Sequence, residues 1–508
     1  MANGNDPANI PYIIAENGFY YVAYKEKVKV PEIVVSAKGV ANGLSEEYND
    51  GCDFGPDSYN PNSTANTPYT QTSGILEAVN YSYGSESSPQ TPIKLLAGHF
   101  VISPDATLYK VNTSAPITGA PEYAIIPVPT QVYRETAFQN ISIHGSGGLI
   151  NLIQTFPLNY DSLTVIDVSQ VTAPAGETVM TFAWDRSSPP ASGDPLTNMI
   201  DIGDFAIYQA VPQASGDNIV GGCDFRNSLN SIAVNIGIFS PNNYLETVFP
   251  SSDEIGFVID AEYGNVCWVD GLSVYCNYYG AMLNAHTHVG NYVSQSNYIG
   301  LVVSSHHGVD ISRYDTTGCI YHIYEPANIR GSIRIFLLEG EDYSAVNSSY
   351  NQTVADVYIA SGSHSNYPAI EIENFHMNYS SGSPNPRLPI IQNNGTNYFV
   401  TVKYIESRPV STAGTTAGTV QPYVIEYGTN YKKMIFQFSG YENDTTTDQT
   451  IDYPANGAPQ NNSLNFSTDA GISLNTTGLT ISASTSGITI TAPDSTTTYS
   501  GIVIVEGY

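Results

Sequence analysis

The sequence predicts an all-β protein built of several antiparallel β-sandwiches or jelly rolls. Short runs rich in β-branched and aromatic residues alternate with clusters of Gly, Pro, Asn and Ser, and the 508 residues include 43 glycines and 31 prolines. No long amphipathic helical pattern interrupts these runs. Because a chain of this length is too long for one ordinary core, about two to four domains are expected.

Residues 1–150 are predicted to form an N-terminal β domain with a long polar excursion over residues 50–90. The excursion is full of Asn, Pro, Ser and Tyr, so little of it can be buried. Within it, Asp50, Asp53 and Asp57 are close enough in sequence to share a calcium ion, which prefers oxygen ligands. Their spacing is not that of the calcium-loop consensus, so an ordinary solvated acidic loop is the favoured interpretation.

Three regions follow: central β domains over 151–345, a third β segment with a linker over 346–420, and a C-terminal β-sandwich with an exposed tip over 421–508. Strands are predicted where apolar residues alternate with polar ones or form short runs between turn residues. The main predicted strands are Ser231–Phe239, Glu254–Ile259, Tyr298–Ser304, Cys319–Tyr324, Ser332–Leu338, Met434–Phe438, Leu479–Ala483, Ile488–Thr491 and Ile502–Val505.

The C-terminal region has a distinctive order of strands and turns, in Gln449–Pro454, Thr477–Ile481, Gly487–Thr491 and Tyr499–Tyr508. This order resembles the terminal β-sandwich of viral tail fibres and surface spikes, which is related in pattern to lectin-like receptor-binding tips. In composition the whole chain also resembles turret proteins of archaeal icosahedral viruses. The resemblance implies a fibre-tip-like sandwich that contacts the host envelope or its glycans.

The charge of the chain excludes one class of partner. A formal net charge of −30, from 47 acidic and 17 basic residues, leaves no surface that neutralises phosphates, so no nucleic acid is expected to bind. Only 13% of the residues are charged, so the surface must be mostly neutral and polar. Such a surface suits glycan contact or dense subunit packing, and a generic acidic extracellular protein is an equally good interpretation.

The N-terminal residues indicate where the protein is made. Met1 to Pro7 contain neither a basic region nor an apolar region of a signal peptide, and no stretch is long enough for a transmembrane helix. We therefore expect no membrane insertion and a virion surface protein that is made in the host cytosol. A cellular protein whose export signal is missing from this sequence is the alternative.

The five cysteines are an odd number, so they cannot all pair within one chain. Cys267 and Cys276 flank a sequence that is typical of a hairpin and are the candidate disulfide. A two-residue turn would pair Cys267 with Val274, whereas a four-residue loop over Asp270–Ser273 would place the two cysteines opposite each other.

The candidate metal ligands are histidines. His286 and His288 would lie on one face of a strand, and His306 and His307 on a neighbouring strand could complete a zinc site. An aromatic patch with histidines among it is an equal alternative, formed with the nearby Trp268, Tyr275, Tyr278 and Tyr279. Hydrogen-bonded surface or interface histidines are the favoured interpretation, so no cofactor is expected beyond these calcium and zinc alternatives.

No motif indicates catalysis. The sequence has no nucleophile elbow, no phosphate-binding glycine loop and no His-Glu-x-x-His. The acid pairs Asp260/Glu262 and Glu371/Glu373 have the residue types of a glycosidase, but such pairs are frequent in an acidic chain. We therefore expect that the protein is not an enzyme.

Asn-x-Ser/Thr sequons are absent between residues 150 and 340, although asparagine is not rare there. If glycans are added, they leave this part uncovered, so it is predicted to hold subunit contacts. The candidate glycosylation sites are Asn62, Asn80, Asn112, Asn140, Asn347, Asn351, Asn378, Asn394, Asn443, Asn461, Asn465 and Asn475.

Together these features predict a virion surface protein, a turret, spike or fibre, that decorates the capsid and attaches to host glycans or a receptor. Its expected partners are other capsid proteins and copies of itself, five in a turret or three in a fibre. Tyr441, Tyr453, Tyr499 and Tyr508 are the predicted contact residues, with sandwich core or a subunit seam as the alternative. A cellular surface-layer or adhesin protein and a secreted carbohydrate-active enzyme are the alternative functions.

Overall fold

A computed structural model describes the chain as two long β-sheets with one short helix among the described residues. The described residues are 12–16, 19–23, 32–38, 52–56, 58, 70–83, 90–110, 123–128, 139–148, 162–171, 178–181, 198–209, 221–225, 230–240, 255–259, 266–275, 279–283, 286–303, 308–326, 332–342, 355–363, 369–379, 389–396, 399–407, 423–426, 431–442, 445–452, 480–484, 487–491 and 499–507. Within them, no helix is long and apolar enough to span a membrane.

The strands are numbered along the chain, and most consecutive strands lie in opposite sheets. A separate pair is formed by β1 (Tyr12–Glu16) and β2 (Phe19–Ala23). The longer sheet contains β3 (Ile33–Val35), β4 (Ile93–Leu95), β5 (Gly98–Val101), β8 (Gln139–His144), β9 (Thr164–Asp167), β11 (Asn198–Tyr208), β13 (Asn230–Phe239), β15 (Val266–Tyr275), β17 (His286–Gln295), β19 (Val309–Thr317), β21 (Ile333–Asp342), β23 (Ala369–Tyr379), β25 (Phe399–Ser407), β27 (Tyr431–Glu442), β28 (Thr445–Asp452) and β31 (Tyr499–Gly507).

The shorter sheet holds the strands that alternate with these along the chain. It contains β6 (Tyr109–Lys110), β7 (Tyr123–Pro127), β10 (Thr178–Thr181), β12 (Gly221–Asp224), β14 (Ile255–Ile259), β16 (Tyr279–Leu283), β18 (Ile299–Val303), β20 (Tyr321–Glu325), β22 (Ala355–Ser363), β24 (Pro389–Thr396), β26 (Tyr423–Glu426), β29 (Thr480–Ser484) and β30 (Gly487–Thr491).

Strands two apart in the chain pair in parallel, from β11 to β25 in the longer sheet and from β10 to β26 in the shorter one. Each turn of the chain therefore adds one strand to each sheet, which is the arrangement of a parallel β-helix. Inward side chains stack in register along it, and one buried column of the longer sheet is Ile202, Ala233, Val269, Val289, Ile311, Ile335 and Ile372.

The predicted antiparallel sandwiches and jelly rolls are therefore wrong for the main body of the chain. The strand positions are close to those predicted, but alternation of apolar and polar residues says nothing of the direction of the neighbouring strand. Antiparallel pairing occurs at the C-terminal end, where β31 pairs with β25 and β27, and β29 pairs with β30. These strands continue the two parallel sheets. The prediction that the C-terminal region forms a separate fibre-tip-like sandwich is therefore wrong as well.

Long strands of the longer sheet bend at one shared corner. In β19 buried and exposed residues alternate except at Ser312 and Arg313, which are both exposed and mark the bend. In earlier turns the corner holds Asp204, Asn235 and Gly271, whose φ angles are +59°, +51° and +69°. Asp, Asn and Gly tolerate this left-handed conformation best, and the Asn235 amide donates to Asp204 Oδ1 over 2.9 Å. The corner divides the outer surface of the sheet into two panels.

One helix, α1 (Ile75–Tyr83), covers the apolar interior near the N-terminal end of both sheets, where it packs against β3, β4 and β7. The Thr72 hydroxyl accepts a hydrogen bond from the Leu76 amide at the start of the helix. Ile75 and Tyr83 are fully buried, so this part of the predicted polar excursion belongs to the core.

Candidate functional site

Two of the four predicted tyrosine contact residues lie at the C-terminal end of the longer sheet. Tyr441 is in β27 and Tyr499 is in β31, and these strands pair with Gly440 opposite Tyr499. Tyr453 and Tyr508 lie outside the described residues. A shared contact surface of the four residues stays a prediction.

The predicted metal ligands are only partly described. His286 and His288 are both exposed on one side of β17, with the buried Thr287 between them, as expected for alternating residues. His306 and His307 are outside the described residues, as are Asp50 and Asp57 of the calcium alternative. Asp53 instead accepts a hydrogen bond from the Val34 amide over 2.8 Å. In the described part of the chain, no group of three or more His, Cys, Asp or Glu side chains is placed to hold a metal ion.

The hairpin predicted between Cys267 and Cys276 is wrong. Val266–Tyr275 is one strand of 10 residues that pairs in parallel on both sides, with β13 and β17. Because this segment is one strand, no turn within it places the two cysteines opposite each other. Cys267 is a buried thiol, and Cys276 lies outside the described residues.

Few of the predicted glycosylation sites fall on described residues. Asn80 is exposed on α1, and Asn140, Asn378 and Asn394 are in strands. The others lie outside the described part of the chain: Asn62, Asn112, Asn347, Asn351, Asn443, Asn461, Asn465 and Asn475.

The longer sheet displays charged and aromatic side chains on its outer surface across five consecutive turns. We call the outward side chains of β15, β17, β19, β21 and β23 the charged face. Register places the following side chains side by side on the panel before the corner: Trp268, His288, Asp310, Arg334 and Glu371. On the panel after the corner, it aligns Asp315, Glu339 and His376.

The aromatic part of the charged face is centred on Trp268. Its side chain is 55% exposed, and its ring lies 5.8 Å from the His288 ring at a tilt of 35°. His288 Nδ1 is 3.6 Å from Asp310 Oδ2 in the next turn. Phe336, at the corner of β21 and one turn after Asp310, is 61% exposed. Of the aromatic patch that the sequence offered as an alternative, Trp268 lies beside His288, whereas Tyr275 is buried, Tyr279 is in the shorter sheet and Tyr278 lies outside the described residues.

The panel after the corner brings acidic groups together around one arginine. A single guanidinium nitrogen of Arg313 lies 3.6 Å from Asp315 Oδ2 and 3.1 Å from Glu339 Oε2. Partial burial raises the pKa of Asp315, Arg313 opposes this, and Glu339 and Glu341 raise it further. His376 Nδ1 lies 4.0 Å from Glu339 on the far side. The cluster therefore brings Asp315, whose pKa is raised, close to Glu339, and the guanidinium of Arg313 lies beside both carboxyl groups.

A second ion pair and the corner residues fix the middle of the charged face. Arg334 donates to Glu373 over 3.0 Å, so the predicted acid pair Glu371/Glu373 lies on this face with one member engaged by an arginine. Asp270 accepts hydrogen bonds from the backbone and side-chain amides of Asn291. The other predicted acid pair, Asp260/Glu262, lies outside the described residues.

Another group of reactive side chains lies inside the β-helix. His322 Nδ1 is 2.6 Å from the Thr316 hydroxyl, and His322 Nε2 is 3.8 Å from Asp356 Oδ1. Burial opposes ionisation of the nearby Cys319 thiol, but hydrogen bonding and charge interaction with His322 outweigh it and lower the pKa. All three side chains are fully buried, so a polymer in solution cannot reach them.

Sequence reasoning missed Asp315, Glu339 and Arg313. The two acids are separated by a whole turn of the chain, and only the parallel register makes them neighbours. The signal that could have found them is the repeated pattern of alternation with two outward residues in succession, which occurs in β17, β19 and β21.

Comparison with known proteins finds similar solved structures only. No protein-family description matches the sequence, and no curated protein matches it. Three solved structures of phage tailspikes are similar. The tailspike protein gp49 of the Acinetobacter baumannii bacteriophage Fri1, a capsular polysaccharide depolymerase, is 8% identical, covers 82% of this chain and 80% of its own, and has a TM-score of 0.24.

The tailspike of the Acinetobacter phage vB_ApiP_P1 is 10% identical, with 87% of this chain and 85% of its own covered and a TM-score of 0.32. The tailspike of the Acinetobacter baumannii phage AM24 is 8% identical, with 86% and 80% covered and a TM-score of 0.19. TM-scores of this size do not carry an activity from one chain to another.

These neighbours bear on the predicted class of protein. The prediction of a viral spike agrees with them, whereas archaeal turrets and lectin-like fibre tips are not among them. The prediction that the chain is not an enzyme conflicts with these neighbours, one of which is a capsular polysaccharide depolymerase, and it is withdrawn; the likeness itself assigns no activity to this chain.

Proposed function

We propose that this protein is a virion surface spike that attaches to host-surface glycans through the charged face of its β-helix. The observation that supports this is the row of outward side chains from Trp268 to Glu371, to which each turn of the β-helix contributes one side chain. Neighbouring strands are about 4.8 Å apart, close to the length of one sugar ring, so such a row suits an extended polysaccharide.

Each part of the row has a chemical role in this proposal. The exposed ring of Trp268 offers an apolar surface to the C–H face of a sugar. Aromatic rings are common in contacts where one side is apolar and the other side meets water. Asp310 accepts hydrogen bonds from sugar hydroxyls, and Arg334 donates them. Repetition of modest contacts over the copies on one particle provides avidity.

The charge of this face limits the classes of glycan that can bind to it. Acidic side chains outnumber the arginines Arg313 and Arg334 on it, and the whole chain carries −30. A polyanionic polysaccharide is repelled by such a surface, whereas a neutral or amino-sugar polymer is not. We therefore propose a glycan of low negative charge.

The remaining expectations become part of this proposal. The spike forms a homo-oligomer and is anchored to other capsid proteins, and its C-terminal region faces outward. Tyr441 and Tyr499 contribute further glycan contacts there, at paired ends of β27 and β31. The twelve sequons and the four predicted regions stay predictions within it.

The test is binding of the full chain to an array of neutral and acidic surface polysaccharides of bacteria and archaea. We expect retention on neutral glycans, and Trp268→Ala should weaken it at least tenfold. Tyr81→Ala is the matched control, since this exposed aromatic residue lies on α1, away from the charged face. Binding that needs acidic glycans, or that Trp268→Ala leaves unchanged, contradicts the proposed face.

A second candidate function is hydrolysis of the bound glycan, and the arrangement of Asp315 and Glu339 favours it. Both acids contact the same nitrogen of Arg313, so their nearest oxygens are less than about 7 Å apart, a spacing that admits the ~5–5.5 Å of retaining glycosidases. In this mechanism Asp315, whose pKa is raised, donates its proton to the glycosidic oxygen as the bond from the anomeric carbon to that oxygen breaks.

The second carboxylate completes the reaction. Glu339, whose carboxylate lies beside the Arg313 guanidinium, attacks the anomeric carbon and forms a covalent glycosyl ester. Asp315, now ionised, takes a proton from water, and the hydroxyl replaces Glu339 at the anomeric carbon. Water is the only co-reactant, and both carboxyl groups return to their first state.

Release of new reducing ends from polysaccharides retained on the array tests this function. Asp315→Asn and Glu339→Gln should each lower the rate at least a hundredfold while binding persists. Glu373→Gln is the matched control, because it removes a carboxylate paired with the other arginine. Cleavage that survives in Asp315→Asn and Glu339→Gln excludes this pair as the catalytic acids.

A further inference from the structure

A group of tyrosines lies on the outer surface of the shorter sheet. Ile323 and Val357 belong to the main core, so Tyr324 and Tyr358, which follow them, point outward. Tyr279, Tyr298 and Tyr321 are grouped with them because they pack against the same rings and buried residues. We call the outward, half-buried tyrosines the tyrosine face; they are Tyr279, Tyr298, Tyr321, Tyr324 and Tyr358.

Aliphatic side chains are buried beneath these rings. Met282, Ile299 and Val302 are 3% exposed or less, although they do not belong to the main core. Tyr324 and Tyr358 are stacked, with ring centres 5.4 Å apart and 5° between the planes. The rings of a stacked pair cover each other, so less ring surface is left for a sugar than at Trp268.

The tyrosine face differs from the charged face in carrying no charged side chain at neutral pH. Burial, together with a smaller contribution from the neighbouring tyrosines, raises the pKa of Tyr321 to about 12. The pKa of Tyr324 is raised in the same direction and for the same reasons. Two copies of a chain with a net charge of −30 repel each other, and an uncharged surface is where they approach at the lowest electrostatic cost.

We propose that the tyrosine face packs against a second copy of this chain. Interface centres are enriched in tyrosine and depleted of charged residues, and this face has both properties. The tyrosines are arranged over four consecutive turns, from β16 to β22, which gives a straight strip along the β-helix. The inference does not depend on what the charged face binds.

The experiment is measurement of the mass of the full chain by light scattering during size-exclusion chromatography. We expect the wild type at two or more times 54.7 kDa and Tyr324→Asp at 54.7 kDa, because each new carboxylate would be buried in the contact without a cation. Phe336→Asp, on the charged face, is the control and should keep the wild-type mass. A monomeric wild type, or an unchanged mass in Tyr324→Asp, overturns the proposal.

A second measurement on the wild type guards against misfolding of the variant. Photo-oxidation with a ruthenium complex and persulfate joins tyrosines of neighbouring chains, and mass spectrometry identifies the linked peptides. We expect intermolecular links through Tyr321, Tyr324 or Tyr358, and links only through other tyrosines overturn the proposal. Glycan binding is measured on the same samples: a Tyr324→Asp protein that keeps its mass but loses binding makes this a glycan surface instead.

Discussion

The charged face and the tyrosine face are built on the same turns of one β-helix, yet they differ in almost every outward side chain. On the longer sheet the outward residues include Asp310, Arg334 and the exposed Phe336, and they project into solvent. On the shorter sheet the outward Val302 is only 1% exposed beneath tyrosines. An outward position in a parallel β-helix is therefore not a surface position by itself, because neighbouring side chains decide whether water reaches it.

This difference fits the two tasks proposed for the faces, which one surface would perform poorly together. A face that exchanges hydrogen bonds with a hydrated polymer must keep its polar groups accessible to water. A face that meets another protein must exclude water and carry little charge at its centre. A β-helix can assign one sheet to each task, since the shared interior holds both sheets in place.

The largest expected effect comes from placing a charge beneath the tyrosines. Val302→Asp buries a carboxylate without a cation, and we expect the free energy of unfolding to fall by about 3 kcal/mol or more. Phe336→Asp, at an exposed outward position, should change it by less than about 0.5 kcal/mol. Denaturant titration of both variants is the measurement. Equal losses in the two variants would abolish the distinction between the faces.

A smaller effect is expected from the arginine of the acidic cluster. Arg313→Gln removes the cation that opposes the raised pKa of Asp315, so that pKa should rise further. A carboxyl group whose pKa is raised on folding binds more protons in the native state, so its stability contribution falls as pH rises from the ordinary value of about 4. The fall should extend to higher pH in Arg313→Gln, with a loss near neutral pH below about 1 kcal/mol.

Thermal unfolding of wild type and Arg313→Gln as a function of pH measures this shift. Arg334→Gln is the control, because its partner is Glu373 and not Asp315. Adding Asp315→Asn to Arg313→Gln should remove the difference in the pH profiles. If it persists there, Asp315 is not the titrating group.

The smallest effect at neutral pH is expected on the tyrosine face. Tyr321→Phe should leave stability near pH 7 within a few tenths of a kcal/mol, because the hydroxyl is neutral there. Since the pKa of Tyr321 is raised to about 12, the native state keeps a proton that the unfolded chain loses near pH 10. Stability should therefore fall between about pH 10 and 12 in the wild type, and less steeply in Tyr321→Phe.

Phenolate absorbance during alkaline titration measures the same group directly. The component that ionises near pH 12 should be reduced in Tyr321→Phe and kept in Tyr81→Phe, whose ring is exposed on α1. A titration curve that is identical in the wild type and Tyr321→Phe would contradict the burial of this tyrosine.

The positions of strands could be predicted from the sequence, whereas their pairing could not. The predicted strand Ser231–Phe239 matches Asn230–Phe239, because the alternation of apolar and polar residues is a local property. Parallel pairing is non-local: Ile311 lies beside Ile335, and Ile335 lies beside Ile372. These separations differ too much to form a period, so no repeat was visible in the sequence.

The candidate site was foreseen only where its parts are close in sequence. The grouping of Trp268 with His288 was one of the alternatives, since both lie in one short stretch of aromatic and histidine residues. In the sequence, Asp315 and Glu339 are two of 47 acidic residues, and no local pattern distinguishes them from the others. Their proximity depends on the register of β19 with β21, which no local pattern encodes.

The unequal turns of this β-helix also bear on how such a protein changes over generations. Val269 and Val289 occupy neighbouring positions of one buried column, and so do Ile335 and Ile372, although nearly twice as many residues connect the second pair. The packing of the buried column does not depend on how many residues connect its members. Insertions and deletions between strands are therefore tolerated by the interior, and the connections can change in length and sequence without remaking the fold.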